Sequence, residues 1–382
     1  MNTARNSAAD GPSVAVVGAT GAVGREMLAV LEQRAFKHRE VRAFASVRSA
    51  GQKLAYRGGE LVVEALTDQW PPSGGGAIDC ALLSAGSGIS KAMGPKMAAS
   101  GTVVIDNSSA FRMTAGVPLT IPEVNPLSVA GLVRKSGGGA GAIIANPNCS
   151  TIILLMAVTP LHRAFGVERL VVSTYQAASG AGWQGMEALE RETRAVLGGE
   201  AASATVFPEP YAFNLFSHNS SVDVATGRNV EEQKMIDETR KIWSELGGGL
   251  GGELGGSGVR LSATCVRVPV MRAHCESVNV TLSRETTLAE VRAVLARAAG
   301  VRMVDDRAGN AFPTPLKASG GDDVLVGRLR VDPGQLPTGV GAGVDLERVS
   351  TRGFDLFVAG DQLRKGAAQN AVQIAEMIFG GS

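Results

Sequence analysis

A short apolar strand running into a glycine turn and then a helix constrains this chain more than any other feature. Ser13-Val14-Ala15-Val16-Val17 is apolar after its first residue, as suits a parallel strand covered on both faces. Gly18-Ala19-Thr20-Gly21-Ala22-Val23-Gly24 follows, and Arg25 to Gln33 is amphipathic. In such a unit the first glycine permits the tight turn and the next admits a pyrophosphate to the backbone. The last lets helix pack on strand. Unpaired N–H groups at the helix start then favour anionic phosphates. The pattern predicts a doubly wound dinucleotide-binding domain; a glycine-rich turn without a ligand is the competing reading.

A second strand, Val41 to Ala45, ends in Ser46-Val47-Arg48-Ser49. A site for NAD places an acid here to hold the ribose 2′-hydroxyl. This chain offers two hydroxyls and an arginine, which suit the 2′-phosphate of NADP, although Arg48 could be a solvated loop charge. Further strands are expected at Cys80–Leu83, Val103–Ile105 and 142–145. The first two end in Ser84-Ala85-Gly86 and Asp106-Asn107-Ser108-Ser109. Strand C-termini line the ligand crevice of a doubly wound sheet. The first domain should end near Asn146.

With 382 residues the chain exceeds one ordinary core, so two domains are expected. A formal charge of +1 gives no support for a nucleic-acid partner. No apolar run has the length of a membrane span. The four cysteines Cys80, Cys149, Cys265 and Cys275 include no C-x-x-C pair, and only four histidines could assist, so no metal site is expected. So few cysteines suit a reducing compartment. Residues 1–12 are polar and lack the apolar core of a secretory signal.

The second half reads as strands at 171–176, 259–270, 277–282 and 324–331, with helices at 186–197, 231–246, 288–299 and 362–379. The last helix is expected to pack back on the first domain. Residues 247–258 read as a glycine-rich surface loop, and 136–141 as another. Cys149, in Asn146-Pro147-Asn148-Cys149-Ser150-Thr151, stands where a polar turn gives way to the apolar run Ile152–Met156. Backbone N–H groups at such a junction favour the thiolate, the reactive form. A buried structural cysteine is the alternative. His274 could hold or move a proton near neutral pH, and Arg267 could fork onto a carboxylate. Either could instead be structural, and Arg272 could be solvated.

Together these segments resemble the aspartate-semialdehyde dehydrogenase family nearly end to end. The matching stretches are 18–24, 106–112, 146–151, 173–182, Arg267-Val268-Pro269-Val270 with His274, and Arg364–Ala367; 211–219 and 360–362 look most like the plant-type branch. The resemblance implies an α/β doubly wound dinucleotide-binding domain (1–146 with 360–382) and an α+β catalytic and dimerisation domain (147–359). It implies Cys149 as nucleophile, His274 as general acid/base and Gln176 as the residue positioning the acyl group. Arg267 would hold the substrate carboxylate, Glu231 its amino group, and Lys234 and Arg112 the phosphate. Gly18, Thr20, Gly21, Ala22, Val23, Ser46, Arg48, Ser49, Ser84, Gly86, Ser179, Gly180 and Gln362 would hold NADP.

The implied activity is NADP-dependent reduction of aspartyl-4-phosphate to aspartate semialdehyde through a Cys149 thioester, in aspartate-family amino-acid biosynthesis. A homodimer or dimer of dimers, in cytoplasm or plastid stroma, is expected, with small-molecule substrates and neither nucleic acid nor membrane as partner. Three competitors remain. An N-acetyl-glutamyl-phosphate reductase shares the chemistry but takes a neutral acetylated amine. A catalytically silent dinucleotide-binding sensor would be expected to lack Cys149 or His274. A cysteine hydrolase would leave the glycine turn and Arg48 unexplained.

Overall fold

The computed structural model describes residues 11–72, 76–132, 139–246, 258–336 and 343–380. The glycine-rich loop expected at 247–258 lies outside these residues except for Gly258, as do 136–138 of the other glycine loop and 1–10 of the N-terminal tail. The chain forms two compact units. One comprises Met1–Asn148, Glu245–Gly247 and Ala367–Ser382; the other, Cys149–Ser244 and Gly248–Gly366. The divisions thus fall at Asn148 and Ala367, where the sequence suggested 146 and 360.

The first unit is built on a seven-stranded sheet. Its strands are β1 (Ser13–Val17), β2 (Glu40–Ala45), β3 (Lys53–Tyr56), β4 (Gly59–Ala65), β5 (Cys80–Leu83), β6 (Val103–Asp106) and β7 (Ala142–Ala145). Their order is β3-β4-β2-β1-β5-β6-β7, and only β3 runs antiparallel to its neighbour. The chain lays β2 on one side of β1 and β5 on the other, so the crevice beyond the C-terminal ends of these strands is the topological switch point.

Helix α1 (Ala22–Gln33) starts three residues earlier than the amphipathic pattern suggested, because Gly21 provides an extended N-cap. Helix α2 (Ser87–Ala99) follows β5. The C-terminal helix, Gln369–Phe379, packs against α1. Its Val372, Ile374 and Ile378 join Leu31, Met27 and Val16 in one core, and each such fully buried side chain contributes about 1.5–3 kcal/mol. Arg34, the C-cap of α1, clamps Glu376 through two bonds of 2.8 and 2.7 Å. This helix begins seven residues later than expected, since Arg364–Ala368 forms a π-helical turn.

The second unit carries a mixed seven-stranded sheet, ordered β12-β13-β14-β11-β8-β10-β9. These are β8 (Val167–Gln176), β9 (Phe216–Ser217), β10 (Arg260–Arg267), β11 (His274–Thr286), β12 (Val301–Met303), β13 (Val324–Val331) and β14 (Thr351–Gly360). Strand β8 pairs parallel with β10 and antiparallel with β11. Its helices are α3 (Cys149–Phe165), α4 (Gly182–Leu197), α5 (Val230–Ser244) and α6 (Leu288–Ala296). Helix α3 is apolar nearly all round and buried along most of its length, as a helix inside a core must be. It packs on β11 and β14.

Candidate active site

The glycine turn of the first unit is shaped by close approach. At Gly18, whose φ is +85°, an added Cβ would meet the Ser84 carbonyl oxygen at 2.5 Å. At Gly24 it would meet the Gly18 carbonyl oxygen at 2.2 Å. These two glycines therefore let β1, β5 and α1 converge, while Gly21 is exposed at the helix start. No side chain caps α1 and no acid stands in its first turn, and the same holds for α2 behind Gly86. Two uncapped helix starts follow adjacent strands, an arrangement that suits a pyrophosphate. Thr20, Ala22, Val23 and Ser84 are half-buried around them. Beyond β2, Ser46 and Arg48 are exposed and Ser49 is half-buried, with no carboxylate among residues 46–49. The residues present fit a dinucleotide carrying a 2′-phosphate.

Also in this unit, the carboxylate of fully buried Asp106 accepts from Ser90 Oγ at 2.6 Å and Ser108 N at 3.0 Å. It thereby sets the loop that carries Arg112. That guanidinium is buried and donates to the carbonyls of Asn146 at 2.9 Å and Asn107 at 3.1 Å. Asn146 in turn donates to Asn107 Oδ1 and accepts from Asn370, both at 2.6 Å. The approach to Asn146-Pro147-Asn148 is thus fixed by polar bonds, as buried amide groups require.

In the second unit three of the candidate residues fall into one row by strand register. Arg267 on β10 stands opposite Gln176 on β8. Across β8, Cys275 pairs with Tyr175, which sets His274 beside Gln176. The row reaches the helix-covered face: Gln176 Nε2 donates to Ser150 Oγ on α3 at 3.0 Å and to Glu231 Oε1 on α5 at 3.1 Å. Cys149 is the first residue of α3 and is partly exposed. Gly366 approaches it so closely that an added Cβ would lie 3.0 Å from the Cys149 Cβ.

Helix α5 is started by a reciprocal cap. Asn229 Oδ1 accepts from Glu232 N, and Glu232 Oε2 accepts from Asn229 N, both at 2.9 Å. This sets Glu231 inward at 4% exposure, with its other oxygen accepting from Lys234 Nζ at 3.1 Å. A first-turn carboxylate is favoured there by the helix dipole.

Arg267 is buried and braced through three nitrogens. Nε donates to Asn219 Oδ1 at 3.0 Å, Nη1 to the Ala177 carbonyl at 3.0 Å, and Nη2 to His218 Nε2 at 2.9 Å. Burial lowers its pKa, and the charges of Tyr211, Glu231 and Cys149 work against that shift. His218 is held down to about 4 by burial and then by Arg267. His274 is wholly buried and pushed down to about 3 for the same two reasons. Its Nδ1 accepts from Ala177 N–H at 3.0 Å.

Gly180 closes over this pair: a Cβ there would lie 2.8 Å from Arg267 Nη1 and 3.0 Å from His274 Nε2. Ser179 and Gln362, assigned to the dinucleotide by resemblance, are buried within this unit and hydrogen-bond each other. Gln362 Oε1 also accepts from Ala273 N at 2.8 Å, where Ala273 holds a strained φ of +73° just before His274. Arg272 is not solvated: it pairs at 2.7 Å with fully buried Asp361. Sequence reasoning missed Ser150, His218 and Asn219 as site residues. The last two stand in the 211–219 stretch that carried resemblance but no chemistry.

A glycine turn that fits a dinucleotide in one unit, and a helix-start cysteine in the other unit together with a buried histidine and arginine, suit a dinucleotide-linked oxidoreductase. Residues 13–132 match the NAD binding domain of semialdehyde dehydrogenases, and 158–365 match their dimerisation domain. Aspartate-semialdehyde dehydrogenase of Aquifex aeolicus is 44% identical over 96% of this chain and 98% of its own length. That of Synechocystis sp. is 42% identical over 96% of each. The crystal structure of Vibrio cholerae aspartate semialdehyde dehydrogenase II complexed with ASA has a TM-score of 0.82 at 36% identity, covering 97% of this chain and 98% of that one. The chain belongs to the aspartate-semialdehyde dehydrogenase family, and is in class an NADP-dependent phosphorylating aldehyde dehydrogenase.

Proposed function

We propose that the protein reduces aspartyl-4-phosphate to aspartate semialdehyde, releasing phosphate, with Cys149 as the covalent catalyst. The observation that carries this is the single row of Arg267, Gln176 and His274, tied through Gln176 to Ser150 beside Cys149 and flanked by the Glu231–Lys234 pair. The substrate bears a carboxylate, an ammonium and a phosphate. Arg267 meets the carboxylate, since a guanidinium can fork onto it. Glu231 meets the ammonium, and Lys234 meets the phosphate.

The Cys149 sulfur attacks the acyl carbon and phosphate leaves, which gives a thioester, a good electrophile for hydride. NADP, when bound, supplies that hydride in its reduced form. Gln176, tied to Ser150 and Glu231, holds the acyl group in place, and His274 holds a proton beside it. Gly18, Thr20, Gly21, Ala22, Val23, Ser84 and Gly86 would hold the pyrophosphate, and Ser46, Arg48 and Ser49 the 2′-phosphate. The working assembly is a homodimer or a dimer of dimers, and the product enters aspartate-family amino-acid biosynthesis. The buried, ion-paired carboxylate of Glu231 favours a free amine over the N-acetylated substrate of the related reductases. NADPH oxidation with aspartyl phosphate against N-acetylglutamyl phosphate tests this; turnover of only the second compound overturns it.

A further inference from the structure

We propose that His218 and Ser220 are positioning residues. They tie Arg267, the grip on the substrate carboxylate, to the helix turn that carries Glu231, the grip on its amino group, and so fix the spacing between the two. The proposal rests on the roles given to Arg267 and Glu231 above. Strand β9 is only Phe216–Ser217, paired with Arg267 and Val266 of β10. The next residue, His218, still donates its N–H to the Cys265 carbonyl at 2.9 Å, which lays its ring beside Arg267. The chain then doubles back. Asp223 N–H donates to the Arg228 carbonyl at 2.8 Å, and Val230 N–H to the Ser221 carbonyl at 2.9 Å. That turn brings Ser220 to the start of α5, although Glu231 lies 11 residues further along the chain.

The side chains join across this turn in one direction only. An arginine has protons to give and no lone pair to offer, so the 2.9 Å bond from Arg267 Nη2 requires a bare Nε2 on His218. The neutral ring then carries its proton on Nδ1, 3.1 Å from Ser220 Oγ. Ser220 N–H also points at Nδ1, at 3.2 Å, and yields to the shorter contact because Arg267 leaves the ring proton no other seat.

Ser220 Oγ in turn accepts from Glu231 N–H at 3.2 Å. That N–H lies in the first turn of α5, where the helix itself supplies no partner. Asn229 satisfies Glu232 N–H there, and Ser220 satisfies Glu231. His218 is buried, and burial first and Arg267 second hold its pKa down to about 4. The ring is therefore neutral near pH 7, and the direction of the link is constant.

The test uses the full chain at saturating NADP and phosphate with two aldehydes: aspartate semialdehyde, and succinate semialdehyde, the same molecule without the amino group. In Ser220→Ala the Glu231 turn loses one hydrogen bond. There kcat/KM for aspartate semialdehyde should fall about 2–10-fold, through KM, while that for succinate semialdehyde stands. His218→Leu leaves a buried guanidinium N–H unmet and breaks both halves of the link, so kcat/KM should fall about 10–100-fold for both aldehydes, again through KM. His218→Gln sets an amide oxygen near the place of Nε2 and should recover most of the loss with succinate semialdehyde. A purely structural pair would lower Tm without this split. Equal losses for the two aldehydes in Ser220→Ala, or wild-type KM in a folded His218→Leu, overturn the proposal. So does a His218 ring protonated on Nε2 in long-range proton–nitrogen spectra of the ¹⁵N-histidine-labelled chain, its signal assigned by its loss in His218→Gln. Failure of the parent reading has a separate signature: equal kcat/KM for the two aldehydes in the unsubstituted chain removes Glu231 from the amine, and a normal KM in Arg267→Lys removes Arg267 from the carboxylate.

Discussion

Gly180→Ala should cripple turnover while leaving the fold nearly intact. The added Cβ would stand 2.8 Å from Arg267 Nη1, 2.9 Å from His274 Cε1 and 3.0 Å from His274 Nε2. Carbon contacts prefer about 3.5–4.0 Å, so the two side chains together must give by roughly 0.5–1 Å. Neither moves freely. Arg267 is fixed by three hydrogen bonds, and wholly buried His274 is held at Nδ1 by Ala177 N–H. Overpacking of this kind costs about 1–3 kcal/mol. In a unit of this size that lowers Tm by about 2–4 °C per kcal/mol. A misplacement near 1 Å in the reacting geometry costs on the order of a hundredfold in rate. The assay is phosphate-dependent oxidation of the semialdehyde, with kcat/KM compared beside a thermal melt. A variant with wild-type kcat/KM would refute the packing argument, because it would mean Arg267 and His274 tolerate the displacement.

Arg267→Lys should fail although the charge is kept, since one ammonium cannot reach Asn219, the Ala177 carbonyl and His218 together; KM for the semialdehyde and kcat should both worsen, and kinetics with phosphate held saturating check it. Arg48→Ala should reduce the preference for NADP over NAD by about one to two orders of magnitude, from loss of a contact of roughly 1.5–3 kcal/mol, read as apparent dinucleotide affinities. Glu276 is wholly buried, neither carboxylate oxygen has a partner among the described residues, and burial raises its pKa well above 4.5. The folded chain thus keeps this acid protonated where the unfolded chain ionises it. Its contribution is fully present below about pH 4.5 and is lost as pH rises. Glu276→Gln should therefore raise Tm at pH 8 more than at pH 4, and melts at the two values check the sign.

The first unit was legible because its strands are short, apolar and closed by small residues: β1, β5 and β7 have the bounds that the sequence suggested. The hairpin β3–β4 was not, since exposed Lys53 and Glu60 dilute the apolar signal and outward-facing Val62 breaks its alternation. Strand β14 carried a clean alternation, with Phe354, Leu356 and Val358 buried, yet its glycines and charges at Arg352 and Asp355 hid it among turns. The candidate residues were picked out by type, and Cys149 by its place before an apolar helix. What held them was not. His218 and Asn219 brace Arg267 across 49 and 48 residues of sequence, and the Ala177–His274 bond spans 97. Only register makes such partners neighbours.

The central claim is that Cys149 carries the acyl group. The chain should be mixed with aspartyl phosphate in the absence of NADPH, quenched in acid and digested for mass spectrometry. The account predicts an aspartyl mass increment on the Cys149 peptide, removed by hydroxylamine and absent from Cys149→Ala. No increment on a fully folded chain, or an increment on Cys80, Cys265 or Cys275 instead, would contradict it.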